Sequence, residues 1–247
     1  MKQTQHDSEH EIVEKNLNGE YQFDLNLILK EGFKNTLKHF FPFLQMMIIL
    51  MGIAFLIFFL FIKIEGIQTE EDLTQTKILS FQLIIQIFLA PFLAAFMLQG
   101  VKANLQSKLK VGELFEQIPR FLPIVIISIF VALLTGLGMS LYVLPGLYIY
   151  MATGFAILLT VDKKMTPLQS LMLSVRMVNR YLPKFILLYV IFTVLMILSI
   201  MTYGLGFLVL FPFYHIVKGA LYRDLFGYAK MPSSNQIDNQ DESTFEA

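Results

Sequence analysis

Long apolar runs separated by short polar segments make up most of this chain. Six of the runs are long enough to cross a bilayer, because about 20 residues of helix span its hydrocarbon. The pattern therefore predicts an all-α polytopic membrane protein with six transmembrane helices. These cover residues 42–62, 78–101, 121–143, 144–161, 183–202 and 203–222. The turns Leu144-Pro145-Gly146 and Tyr203-Gly204-Leu205-Gly206 leave almost no loop between two of the pairs, so we expect three hairpins.

An amphipathic segment precedes the fifth predicted span. Thr166 is suited to capping a helix, and Pro167 to its first position. The apolar side chains that follow recur at helical spacing, and polar ones take the other side. We expect this helix to lie in the lipid interface, at the entrance of the fifth span. Its apolar positions are Leu168, Leu171, Met172, Val175 and Leu182, opposite Gln169, Arg176, Asn179 and Arg180.

Two weaker amphipathic segments of the same kind occur earlier, one after Asp24 and one over residues 102–120. Each of the three stretches ends with a basic residue, then aromatic residues or an aromatic–leucine pair, and then a proline. The three prolines are Pro42, Pro123 and Pro183. The order predicts a threefold repeat of one amphipathic interfacial helix followed by one hairpin. The alternative is that aromatic and proline residues are simply common where helices enter lipid.

Positive charge predicts the orientation of the spans, because cytoplasmic loops retain Lys and Arg during insertion. Of the 19 Lys and Arg residues, all but Lys63 and Lys77 fall on one side of the predicted topology. Both termini and all three amphipathic helices should therefore be cytoplasmic. Residues 1–21 and 231–247 are polar and acidic, and are predicted to be disordered tails on either side of a membrane domain over residues 22–230.

Composition agrees with an integral membrane protein and narrows the partners. Hydrophobic residues make up 55% of the 247 positions, charged ones 15%, and the net charge is +0. The chain has no cluster of basic residues that would suit a nucleic acid. The absence of cysteine excludes disulfides and thiolate sites. We predict no metal, cofactor or catalytic residue and hence no enzyme. The expected partners are membrane lipids, including anionic head groups on the cytoplasmic face, and a membrane protein or a second copy of the chain.

Candidate ligand contacts are few, because the sequence shows no charge in the middle of any predicted span, where charge would be costly. Gln82 and Gln86 could line a polar cleft, or could cross-link helices through hydrogen bonds. A group near the end of the sixth span could bind a head group or substrate phosphate, or could be a snorkelling helix end. It comprises His215, Lys218, Arg223 and Asp224, and Arg176 and Arg180 are further candidates for head-group contact.

Tyr142, Tyr148 and Tyr150 are predicted to form an aromatic belt beside the outer turn. The segments from Leu144 to Asp162 and from Ser170 to Arg180, with Tyr203-Gly204-Leu205-Gly206 and Tyr222-Arg223-Asp224-Leu225, resemble the YciC-like group of bacterial inner-membrane proteins. They are also similar to the membrane domain attached to some glycerophosphodiester phosphodiesterases. The resemblance covers roughly residues 110–228. It implies a six-span protein of a bacterial inner membrane and carries over no catalytic residue.

Three functions remain open from the sequence. A non-enzymatic component that organises lipid or a partner complex in the envelope fits three basic amphipathic helices without buried charge. A transporter or lipid translocator fits Pro91 and Pro212 inside the second and sixth spans, because broken helices often frame substrate sites. A membrane enzyme has the weakest basis, since the sequence shows no acid, base or metal cluster.

Overall fold

The computed structural model describes residues 2–69, 72–105 and 107–228, and regular structure in these ranges is helical throughout. Two short 3₁₀ segments, Val111–Phe115 and Ile118–Arg120, lie between the fourth and fifth α-helices. The α-helices are α1 Lys2–Asn18, α2 Leu25–Lys38, α3 Phe40–Glu65, α4 Gln75–Ala103, α5 Phe121–Leu141, α6 Val143–Ala152, α7 Ala156–Asp162, α8 Pro167–Arg180, α9 Leu182–Met201 and α10 Phe207–Phe226.

Five helical segments of the described ranges are long and apolar enough to cross a membrane. They are Phe40–Glu65, Gln75–Ala103, Val111–Leu141, Val143–Asp162 and Leu182–Met201. The prediction of an all-α chain with membrane-spanning helices is thus confirmed at this level. The predicted sixth span corresponds to α10, which is not among the five because Lys218, Arg223 and Asp224 make it less apolar.

Helix α10 has more buried residues than any other described helix, and α4 crosses it at a pair of glycines. A Cβ placed on Gly219 would lie 2.3 Å from the carbonyl carbon of Gly100, and one on Gly100 would lie 2.3 Å from the backbone oxygen of His215. The backbones of the two helices therefore touch directly. Close approach through small residues is the usual way that helices associate in membranes, where apolar surface gains little from leaving lipid.

Helix α2 also packs on α10, through a stripe of small side chains. Its buried residues are Ile28, Gly32 and Thr36, and a Cβ on Gly32 would lie 2.5 Å from Cγ2 of Val217. Of the large apolar side chains of α2, Ile28 is buried, whereas Leu27, Phe33 and Leu37 are exposed. The contact with α10 is made by Gly32, and the exposed apolar residues lie on the outside of the protein.

The predicted disordered tail over residues 1–21 is wrong for the residues the structure describes, because α1 occupies Lys2–Asn18. Its docking depends on Asn16, whose Nδ2 donates to the backbone oxygens of Asp224 at 2.9 Å and Leu225 at 3.0 Å. Those carbonyls end α10 and have no partner within their own helix. A polar segment can thus be ordered by hydrogen bonds that its own composition does not reveal. The predicted tail over residues 231–247 lies outside the described residues.

The second predicted amphipathic helix, over residues 102–120, is also wrong. Two 3₁₀ segments take its place. Glu113 is tied to α4, because its Oε2 accepts from Nε2 of Gln99 and from Nζ of Lys102, each at 2.6 Å. Side-chain bonds to the preceding span therefore fold this stretch back and leave no room for a separate α-helix.

Helix α8 begins where the sequence predicts. The Thr166 side chain accepts from the Gln169 amide, and the Gln169 side chain accepts from the Thr166 amide. The buried face holds Ser170, Ser174, Met177 and Val178, whereas Leu168 and Met172 of the predicted apolar face are 65% and 49% exposed. The face toward the protein thus combines small polar side chains with Met177 and Val178, and part of the predicted apolar face lies on the outside.

Candidate functional site

The fourth candidate span, Val143–Asp162, is broken in its middle. Helix α6 ends at Ala152 and α7 begins at Ala156, so Thr153, Gly154 and Phe155 have no regular helical structure. Glycine has a low helix propensity, whereas the proline of this span, Pro145, lies near its start and does not mark the break. Pro91 and Pro212, by contrast, lie inside continuous helices, so the expectation that prolines interrupt the second and sixth spans is wrong.

Ser174 of α8 satisfies the backbone at this break. Its Oγ donates to the backbone oxygen of Ala152 at 2.7 Å and accepts from the amide of Phe155 at 3.1 Å. Inside a bilayer, irregular backbone persists only where protein or a water-filled cavity satisfies its polar groups. The hydroxyl of Ser174 on α8 therefore satisfies the polar backbone groups at the break.

Lys218 lies beside the break, on the inside of the protein. It is the twelfth of the 20 residues of α10 and is only 8% exposed. Its Nζ stands 5.4 Å from the ring centroid of Tyr214 and 5.9 Å from that of Phe155. These are cation–π contacts, which are stronger where water is excluded. The ion pairs found among the described residues do not include Lys218.

Three tyrosine hydroxyls from three different helices meet next to this lysine. The Tyr214 hydroxyl of α10 lies 3.4 Å from that of Tyr150 on α6 and 3.3 Å from that of Tyr189 on α9. Two contacts among three hydroxyls use two protons, so one O–H donor is left over. Lys218 contributes further N–H donors. The spare O–H donor, the N–H donors and the positive charge of Lys218 together suit an anionic acceptor such as a carboxylate or phosphate.

Gly154 provides space for this group. A Cβ at this position would lie 3.1 Å from the Tyr189 hydroxyl oxygen and 3.6 Å from Cε of Lys218. The break therefore brings a backbone without a side chain against both polar groups. We call Tyr150, Gly154, Tyr189, Tyr214 and Lys218 the lysine–tyrosine cluster.

The structure separates the four residues predicted near the end of the sixth span. Arg223 donates from Nε to Asp224 Oδ1 at 2.7 Å. It also donates from Nη1 to the backbone oxygen of Asn104 at 3.1 Å. Asp224 Oδ2 also accepts from the hydroxyl of Tyr21 at 3.2 Å. These two residues fasten α10 to its neighbours. The pKa of Tyr21 is raised, first by burial and then by the charge of Asp224.

His215 is buried among aromatic rings, one of which is Tyr214 of the cluster, at a centroid distance of 5.1 Å. Its ring centroid lies 4.7 Å from that of Phe211 and 5.2 Å from that of Phe96, and its Nδ1 has no hydrogen-bond partner in the described part of the chain. Lys218 is thus the one member of the predicted group whose ammonium lies against the rings of Tyr214 and Phe155. Its side chain is buried, so it is not a snorkelling lysine at a helix end.

The other predicted contacts do not join this cluster. Gln86 donates from Nε2 to the backbone oxygen of Ser128 at 2.7 Å, which fits the alternative of a hydrogen-bonded cross-link between helices. Gln82 and Arg176 are exposed. Arg180 is also exposed and donates from Nη2 to the backbone oxygen of Asn18, the last residue of α1.

The tyrosines near the outer turn could have indicated this site, but the sequence analysis assigned them to an aromatic belt. Tyr150 belongs to the lysine–tyrosine cluster rather than to an aromatic belt, and the Tyr148 hydroxyl donates to Oδ1 of Asn179 on α8 at 2.8 Å. Gly154 in the middle of an apolar run was a second available signal. Comparison of the chain with models of protein families, with curated proteins and with solved structures found no match.

Proposed function

We propose that this protein is a six-span transporter or lipid translocator of a bacterial inner membrane, and that it binds the acidic group of its ligand at Lys218. The observation that carries the proposal is a buried cation beside a broken span. An ionisable side chain inside a membrane protein is costly and usually functional. Discontinuous helices commonly frame the substrate sites of transporters.

The ligand class follows from the donors of the cluster. Ammonium and phenol groups supply protons, and none of the ion pairs in the described ranges already occupies the ammonium. A carboxylate or a phosphate would accept these hydrogen bonds and neutralise the charge. Both a soluble acid and a lipid head group have this chemistry.

A role in organising lipid or a partner complex has less support than transport. It was argued from basic amphipathic helices without any buried charge, whereas Lys218 is 8% exposed and one of the three predicted helices is a pair of 3₁₀ segments. The six-span topology, cytoplasmic termini and bacterial location belong to the proposal. They rest on the apolar runs, the distribution of Lys and Arg, and the resemblance to YciC-like proteins.

Native mass spectrometry of the protein extracted with its surrounding lipid tests the proposal. We expect the wild type to retain an acidic lipid or solute, and Lys218→Met to lose it, since methionine keeps the length of the chain without its charge. Lys184→Met is the matched control, because Lys184 is an exposed lysine at the start of α9. Equal retention by Lys218→Met, or no acidic ligand on the wild type, contradicts the proposal.

Reconstituted vesicles then test movement of the ligand. The compound retained by the wild type should cross or change leaflets faster in vesicles with the wild type or Lys184→Met than in vesicles with Lys218→Met. Equal rates in all three, at matched protein content, would exclude transport through this site.

A further inference from the structure

We infer that the ligand is an acidic lipid, whose head group reaches the lysine–tyrosine cluster sideways from the bilayer, through the seam between α6 and α9. This inference rests on the proposed anion site at Lys218 and adds the substrate class and the route of entry. A route from the aqueous side would instead suit a soluble acid.

The first observation is the way in which the seam is closed. Helix α6 packs tightly against α5, whereas α6 and α9 are not among the closely packed pairs of helices. Two aromatic rings bridge them, with Tyr150 edge-on to Tyr189 at a centroid distance of 6.0 Å. Side chains rather than backbone thus separate the cluster from the outside. Rotamer changes can open such a seam without moving a helix.

The second observation is where the seam opens. Tyr150 is 43% exposed, so the cluster reaches the surface through the ring that also bonds Tyr214. The exposed neighbours on both sides are apolar, with Leu147 on α6 and with Ile186 and Val190 on α9. Both helices belong to candidate membrane spans. The seam therefore faces hydrocarbon.

The ligand class follows from these two observations. A small hydrophilic anion cannot approach through hydrocarbon, because the transfer of an unpaired charge out of water is too costly. An amphiphile can leave its chains among the lipids and place its acidic group against Tyr150, Tyr214 and Lys218. The hydroxyls are then the first donors that the head group meets, and the ammonium is the last.

The chain contains no tryptophan, so one introduced tryptophan reports its own surroundings. The experiment uses Leu147→Trp, one turn before Tyr150 on α6, which keeps the Tyr150 hydroxyl in place. The vesicles are phosphatidylcholine and contain equal mole fractions of either phosphatidylglycerol or phosphatidylcholine with brominated acyl chains. We expect stronger quenching by the brominated acidic lipid, which reflects roughly fivefold enrichment at the seam. The difference should disappear when Lys218→Met is added.

Two control reporters calibrate the result. Leu198→Trp lies on the exposed side of α9, at 52% exposure, and should be quenched equally by both lipids. Phe185→Trp replaces a side chain that is 1% exposed and should be quenched by neither.

Equal quenching of the seam reporter by the two brominated lipids overturns the inference. So does quenching by aqueous iodide in place of brominated lipid, which would show a water-filled route. Either result leaves the proposed anion site standing if a soluble acid is still lost from Lys218→Met in the mass spectrum. Retention of the ligand by Lys218→Met would instead contradict the proposed function itself.

Discussion

Gly100 and Gly219 lie where α4 and α10 touch, and neither position has room for a methyl group. The atoms that a new Cβ would meet at 2.3 Å belong to the backbone, which cannot turn aside as a side chain can. The helices would have to separate. We therefore expect Gly219→Ala to lower the stability of the protein in detergent by roughly 1–3 kcal/mol or more, as other overpacked cores do.

Thermal unfolding followed by circular dichroism checks this expectation. Gly136→Ala is the matched control, since no atom lies within 4 Å of the Cβ position of this helical glycine. It should be neutral, or stabilising by up to about 1 kcal/mol through helix propensity. Equal behaviour of the two variants would show that the crossing tolerates a wider spacing.

His39, between α2 and α3, makes stability depend on pH. The side chain is 7% exposed and its Nε2 has no partner in the described ranges. Burial, and then the charge of Lys38, lower its pKa from the usual value of about 6.5. The unfolded chain therefore takes up a proton that the folded protein does not, and stability is lost as the pH falls below 6.5.

We expect the melting temperature to fall between pH 7 and pH 5, and to fall less in His39→Phe. The change removes the proton uptake and the unpaired nitrogen while keeping an aromatic ring. Thermal melts at several pH values in one detergent measure the effect. Parallel curves for wild type and variant would assign the acid sensitivity to other groups.

At the scale of elements, the break between α6 and α7 depends on Ser174 of α8. Ser174→Ala would leave the buried Phe155 amide and the Ala152 carbonyl without their partner. An unsatisfied buried group costs roughly 1–3 kcal/mol. We expect a lower melting temperature, together with faster hydrogen exchange at residues 152–156.

Ser140→Ala is the control for this prediction. Its hydroxyl is exposed and donates to Leu137 within the same helix, so its loss should leave the break unaffected. Unchanged exchange at residues 152–156 in Ser174→Ala would mean that other contacts support the break.

The entries to α3, α5 and α9 share one backbone conformation. His39, Arg120 and Tyr181 have φ of −107°, −104° and −115°, with ψ of 17°, 24° and 28°. Each is followed within three residues by Pro42, Pro123 or Pro183. The sequence motif thus marks a common hinge, even though the element before the second hinge is not an α-helix.

At the scale of the molecule, the apolar runs could be predicted because hydropathy is a local property, and the helix ends could be predicted from caps such as Thr166. The anchoring of α1 could not, because the partners of Asn16 lie 208 and 209 positions away. Lys218 looked like a helix end because Phe155, Tyr150 and Tyr189, which lie around it, come from distant parts of the chain. Tertiary neighbours, rather than sequence neighbours, define the candidate site.

The orientation of the whole molecule can be tested with single cysteines, because the chain has none of its own. Gln68→Cys lies in the exposed connection between α3 and α4, and Gln22→Cys lies in the exposed connection between α1 and α2. A membrane-impermeant maleimide should label Gln68→Cys on intact spheroplasts and Gln22→Cys after lysis alone. The opposite pattern would reverse the proposed topology.

The hydrogen bonds from Asn16 to the end of α10 can form only late in the synthesis of the protein. The first helix leaves the ribosome early, but its binding partners are among the last residues of the membrane domain to be synthesised. These two bonds therefore form only after residues 224 and 225 have been synthesised, whereas the contacts of α1 with Arg180 and Tyr181 can form earlier. A product truncated before Asp224 would lack both bonds, and we expect its N-terminal helix to be more open to proteases.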